Sequence, residues 1–221
     1  MKIRYCIFVI ILFYSLHANG NQSRIDSLIN SYHNLNRESN NIEYISQYFN
    51  YFPDSFKEFN NIFGYIDIFS PCCDIIFGPL YEEHFDYIKQ YFGIITFIED
   101  SIYLNKTINI CIGGEWDADA ISIFQYQIQQ MILCDTIKDI DPICFVNSNT
   151  CYREKLLFYL AIRSRKEILS FWHFYLDNAE SVDENLYKQT LKMLHGYNKL
   201  KRLLKKEYYF YKYKYPKHIV K

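Results

Sequence analysis

The sequence predicts a mainly α-helical protein, a single multi-helix bundle of about seven or eight helices closing on a long C-terminal helix. Three observations carry this expectation. Apolar residues recur at three- and four-residue steps along most of the chain, the period of one helix face. Only 7 Gly and 5 Pro occur in 221 residues, so there are few places for a helix to stop. The aromatic content, 19% of the chain, comes almost wholly from 22 Tyr and 18 Phe, bulky side chains that fill a core between helices.

Ahead of the helices, residues 1–20 read as a cleavable signal peptide. Lys2 and Arg4 form a charged start, an apolar run extends from Cys6 to Leu16, and Ala18-Asn19-Gly20 places small residues where a signal peptidase cuts. The run is only about half of the roughly 20 apolar residues that a membrane span needs. The mature chain is expected to begin near Asn21 as one soluble domain, 21–221, with no transmembrane segment. The location expected is export to the periplasm or beyond.

The first helix follows from Ile25, Leu28, Ile29, Tyr32 and Leu35, and the polar run Asn36 to Asn41 ends it. A second, short helix is marked by Ile45, Tyr48, Phe49 and Phe52. Ser55 with Glu58 three residues later matches a capping box, followed by Phe56, Phe59, Ile62 and Phe63 at helical spacing and by Gly64 as a stop. Ile66 to Phe77 shows no period and contains Pro71, Cys72 and Cys73, which predicts a loop held by a disulfide. Gly78-Pro79 then opens a helix with Leu80, His84, Tyr87, Ile88 and Tyr91 on one stripe, ending at Gly93.

Ser101 to Ile112 fits both periods, alternating like a strand at Ile108, Ile110 and Ile112; a helix closed by Gly113 and Gly114 is the favoured reading. Asp117 caps the next predicted helix, whose core face is Ala120, Ile121, Phe124, Ile128, Met131 and Ile132. Ser164 and Glu167 form a second capping box ahead of Ile168, Phe171, Trp172 and Tyr175. The final helix is expected to run unbroken from about Asp183 to about Tyr213, with Gly196 inside it at a cost of about 1 kcal/mol relative to Ala.

Leader removal leaves six cysteines in a compartment that permits disulfides, and six allow 15 connectivities. A vicinal Cys72–Cys73 bridge is disfavoured by its strained ring. Cys144 and Cys151 flank the polar turn Asn147-Ser148-Asn149-Thr150 and are the preferred pair. Metal-ligand spacings such as CxxC and HxxxH are missing, and neither metal nor cofactor is expected.

Net charge is −1, from 24 basic and 25 acidic residues, so no global field draws the protein to nucleic acid. The charge is uneven. From Lys199 onward nine basic residues stand against the single acid Glu207.

Three segments resemble a family of small exported proteins of unknown function from Gram-negative bacteria. They are 51–65 (YFPDSFKEFNNIFGY), 112–121 (IGGEWDADAI) and 167–177 (EILSFWHFYLD), which match the patterns FPxxFxxFxxxFGY, WxADA and FWxFxxD. The resemblance implies export and a helical domain. It implies no activity, and the cysteines are not part of the pattern.

Among residues able to carry chemistry, Glu115, Trp116, Asp117 and Asp119 gather three carboxylates around an indole, a set that could hold a cation or a sugar. Acids in a first helical turn are also expected from the helix dipole alone. His84 lies near Glu82, Glu83 and Asp86, and His173 near Asp177, as candidate acid/base pairs; each also sits on or beside an aromatic stripe, where a structural histidine is the plainer reading. Nothing resembles a nucleophile elbow, a zincin helix, a phosphate loop or an EF-hand. At the C-terminus Lys205, Lys206, Lys212 and Lys214 alternate with Tyr and Phe, a mixture suited to an anionic surface. The expected function is therefore a non-catalytic exported binding domain whose partner is an envelope protein or anionic surface. The alternative is an envelope hydrolase using the carboxylates near Trp116 with His84 or His173.

Overall fold

The computed structural model describes residues 22–67, 75–115, 119–133, 152–177, 182–214 and 219–220. The chain divides after Phe52 into two compact units. The predicted leader, Cys72, Cys73, Cys134, the Cys144–Cys151 pair, Trp116 and Asp117 lie outside the described residues.

In the first unit, α1 (22–37) and α2 (Ile42–Tyr51) form a helical hairpin. Asn41 supplies the N-cap between them, its side chain accepting the N–H groups of Glu43 and Tyr44 at 3.0 and 3.4 Å. Arg24, near the start of α1, donates to the carbonyls of Tyr51 and Phe52 at the end of α2, at 3.4 and 3.2 Å. Leu28, Leu35, Ile45, Tyr48 and Phe49 are buried, as their spacing predicts.

The second unit begins with α3 (Phe56–Phe63). Ser55 Oγ accepts the N–H of Glu58 as a cap, but Glu58 closes back on the N–H of Asp54 at 2.8 Å, one residue ahead of the expected reciprocal bond. Both ends of the Ile66–Phe77 segment predicted as a loop are instead short strands. They are β1 (Tyr65–Asp67) and β2 (Ile75–Phe77), antiparallel with Tyr65 opposite Phe77 and Asp67 opposite Ile75. Gly78 seals the pair by donating to Gly64 O at 2.8 Å, and any Cβ at Gly78 would strike the Ile62 carbonyl. Helix α4 (His84–Gly93) therefore starts later than Pro79 would set it, after a turn that buries Leu80.

Ser101 to Ile112 is helical: α5 spans Asp100–Cys111, after a 3-10 turn at Ile95–Phe97. Helix α6 (Ala120–Leu133) buries the whole predicted face. A helix not foreseen, α7 (Arg153–Ala161), buries Leu156, Leu157 and Leu160. Helix α8 (Arg165–Leu176) carries the predicted capping box with both bonds formed, at 3.3 and 3.0 Å.

The long final helix is two helices, α9 (Glu184–Met193) and α10 (Asn198–Lys214). The reason is the turn after the Leu194 cap, closed by the Tyr197 N–H on Leu194 O, in which Gly196 takes a φ of +87°, a left-handed conformation that a continuing helix does not hold. With α7 and this break, the described residues hold ten α-helices against the seven or eight expected. Two short strands, β3 (Val182–Asp183) and β4 (Ile219–Val220), pair in parallel.

Within this unit α10 lies on α8, α4 on α6, and α5 against α3, α7 and α8. Aromatic rings fill the space between them. Phe124 meets Phe59 and Phe92 at ring separations of 5.0 and 5.1 Å, Tyr91 stacks on Tyr103, and Tyr187 stacks on Tyr208 at 3.7 Å. Among the described residues, 18 aromatic side chains are buried in the core.

Candidate functional site

The turn after α5 is shaped by two glycines. Gly113 takes a φ of +82° and donates its N–H to Ser170 Oγ of α8 at 2.7 Å. Gly114 lies so close under Phe174 and Phe56 that a Cβ there would strike the Phe174 ring. The chain is thereby pinned to α8 just before the exposed Glu115.

Asp119, at the far end of the predicted acidic cluster, is the one non-glycine residue among those described with a positive φ, 61°. Its carbonyl accepts the hydroxyl of Ser122 and the N–H of Ile123 at the start of α6, at 2.8 and 3.1 Å. Its carboxylate accepts a short hydrogen bond from the Tyr81 hydroxyl. That bond raises the Tyr81 phenol to about 12, because ionising it would set a phenolate against a carboxylate. His84 Nδ1 in turn lies against the Tyr81 carbonyl, which makes Nδ1 the donor, and the ring of Phe77 packs on Tyr81 at 4.5 Å.

His173 occupies a second, separate setting between α8 and α10. Its Nδ1 lies 3.1 Å from Glu207 Oε1, and the Tyr211 hydroxyl lies 2.9 Å from Nδ1. The rings of His173 and Tyr211 stack with 5.0 Å between centroids. Glu207 is 9% exposed, so its charge is held close to the imidazole with little water between. The His173 pKa is raised first by its bond to Glu207; burial opposes this, and Asp177, Glu207 and Glu115 add attraction through space. The predicted partner Asp177 thus acts only at a distance. Spacing alone does not single out Glu207 and Tyr211 as partners of His173, although Glu207 stands out in the sequence as the single acid of a basic tail and Tyr211 lies four residues on, on the same helix face.

The predicted carboxylates therefore bear on two different settings. Glu115 bears on His173, and Asp119 bears on Tyr81 beside His84, although their Cα atoms can be at most about 14 Å apart along the chain. Each histidine already has a partner within the fold. Among the described residues no group of three or more His, Cys, Asp and Glu side chains is arranged to hold a metal ion. Cys111 is buried and unbridged, and burial pushes its thiol well above the ordinary range, which makes it a poor nucleophile.

Helix α10 has two sharply different faces. Leu200, Leu203, Leu204, Glu207, Tyr208 and Tyr211 are buried. Lys205, Lys206 and Lys212 are exposed, as are Tyr209 at 48%, Phe210 at 52% and Tyr213 at 82%. Lys212 leans over the Tyr208 ring at 5.9 Å. The Lys214 side chain lies outside the described residues. Lys199, the first cation of the tail, serves the fold itself, since its Nζ donates to the carbonyls of Ala161 and Arg163 at 2.9 and 2.8 Å and so closes the end of α7. Among the described residues no helix is long and apolar enough to cross a membrane. No protein-family model, curated protein or solved structure matches the chain.

Proposed function

We propose that the protein is a non-catalytic, exported interaction domain that meets an anionic surface of the cell envelope through the outward face of α10. The observation that carries this reading is the exposure of three lysines and three aromatic rings on one face of a helix whose other face is buried in the domain. A helix that uses its tyrosines only to dock would bury all of them; here Tyr208 and Tyr211 dock while Tyr209 and Tyr213 stay outside. The hydrolase alternative needs its carboxylates and histidines around one shared cleft. Asp119 is instead bonded to Tyr81, and His173 to Glu207 and Tyr211.

The test compares wild type with a Lys205→Gln, Lys206→Gln, Lys212→Gln variant on immobilised lipopolysaccharide and on anionic lipid vesicles, at low and high salt. Wild type is expected to bind, more weakly as salt rises. The variant should lose binding while keeping its thermal midpoint. A wild type that binds neither surface, or a variant that binds as well as wild type, overturns the reading. Asp119→Asn should leave binding unchanged.

A further inference from the structure

We infer that the surface met by α10 is a lipid bilayer with anionic headgroups, and that the Tyr209, Phe210 and Tyr213 rings enter the headgroup layer beside Lys205, Lys206 and Lys212. This rests on the reading that α10 is the contact element, and it narrows an anionic surface to a bilayer.

The geometry follows from the helical repeat. At about 100° per residue, the outward residues from Lys212 round to Phe210 fall within an arc of roughly 160°. Tyr209 and Tyr213 lie near the centre of that arc, four residues apart and one above the other. Lys205 and Lys212 lie along one edge, and Lys206 points outward between the central tyrosines and Phe210. A polyanion in solution would be served by the cations alone and would gain nothing from the exposed Tyr209 and Tyr213 rings. A bilayer uses both groups. Lysines draw in the anionic headgroups, while tyrosine, with an apolar ring and a polar tip, settles where headgroup meets hydrocarbon. The 17 residues of α10 give a helix about 26 Å long, enough for its last two turns to lie along a membrane surface while its inner face stays docked on α8.

The buried side of the same turns supports this role. Glu207 and Tyr211 hold α10 to His173 on α8, and Tyr208 stacks on Tyr187 of α9, so the outward rings are displayed from a fixed helix and lose little freedom on contact.

The experiment uses the full mature protein and three targets: phosphatidylglycerol vesicles, phosphatidylcholine vesicles and soluble polyphosphate. The proteins are wild type, the triple Lys→Gln variant, and a Tyr209→Ser, Phe210→Ser, Tyr213→Ser variant, all at matched thermal midpoints. Wild type is expected to sediment with phosphatidylglycerol vesicles and not with phosphatidylcholine. The lysine variant should bind at least about tenfold more weakly, since each basic residue near an anionic membrane contributes a factor of about five. The aromatic variant should also lose at least about tenfold on vesicles while keeping any affinity for polyphosphate. An aromatic variant that binds vesicles like wild type overturns the bilayer inference and leaves the anionic-surface reading standing. So does a wild type that binds polyphosphate but not vesicles. A wild type that binds neither vesicles nor polyphosphate, nor lipopolysaccharide in the preceding test, overturns both.

Discussion

His173 joins α8 to α10 through its contact with Glu207, which favours the charged imidazole, and this gives the fold a pH dependence of definite sign. A base whose pKa is higher in the folded state adds stability that is complete below its unfolded pKa, about 6.5, and is lost as pH rises through the folded value. Thermal midpoints of wild type should therefore fall, relative to His173→Gln, as the buffer is taken from about pH 6 to the alkaline side of neutrality. Parallel curves for the two proteins would show that Glu207 does not hold a charged imidazole. A second residue of this kind is Gln125, buried on α6, whose Nε2 donates to the carbonyls of Phe174 and Asp177 at the end of α8, while Gln129 donates to Tyr175 O at 3.1 Å. Gln125→Leu should cost about 1–3 kcal/mol in chemical denaturation, because it leaves buried carbonyls without their donor. Neither arrangement is legible in spacing. Periodicity marks apolar residues as inward, so an inward glutamine or glutamate is invisible to it until the partner helix is in place.

At the scale of elements, signals are legible in the sequence where the chemistry is local. The Ser164 and Glu167 capping box forms as expected, and the core stripe of α6 is buried along its length. Elements decided by backbone geometry or by distant contacts are much less so. Helix α7 leaves no clear stripe because its apolar residues surround it, with Phe158 exposed beside the buried leucines. The β1–β2 pair leaves none because three-residue strands are too short to show alternation. Gly196 looks in sequence like a tolerable glycine inside one helix, yet its left-handed φ belongs to the turn that separates α9 from α10. Since a Cβ at that position would meet nothing within 4 Å, Gly196→Ala isolates the backbone contribution and should destabilise by about 1–2 kcal/mol. Asn at the same position should be milder. Lys199→Gln is expected to lower the thermal midpoint by a few degrees without changing vesicle binding, the opposite of the Lys205, Lys206 and Lys212 substitutions.

For the molecule as a whole, the helical class and most of the aromatic core are legible, because both follow from composition and from the 3.6-residue period. Of the candidate site, the basic-aromatic stretch is legible as composition, but which of its rings stand outside is set by the packing of α10 on α8. The acidic cluster is legible as a cluster, yet its two ends serve different neighbours, Tyr81 and His173, for reasons that lie in the turns around Gly113 and Asp119. The solitary sulfur of Cys111 has a consequence of another sort, a rule of parity. Disulfides consume thiols two at a time, so a monomer that has lost Cys6 with its leader keeps an even number of thiols, and one that retains all 7 cysteines keeps an odd number. With Cys111 unbridged, zero is excluded from the even series. Titration of exported monomer in denaturant without reductant should therefore count two, four or six thiols per chain. An odd count would reveal the leader still attached, and a count of zero would mean that the buried sulfur had found a mate.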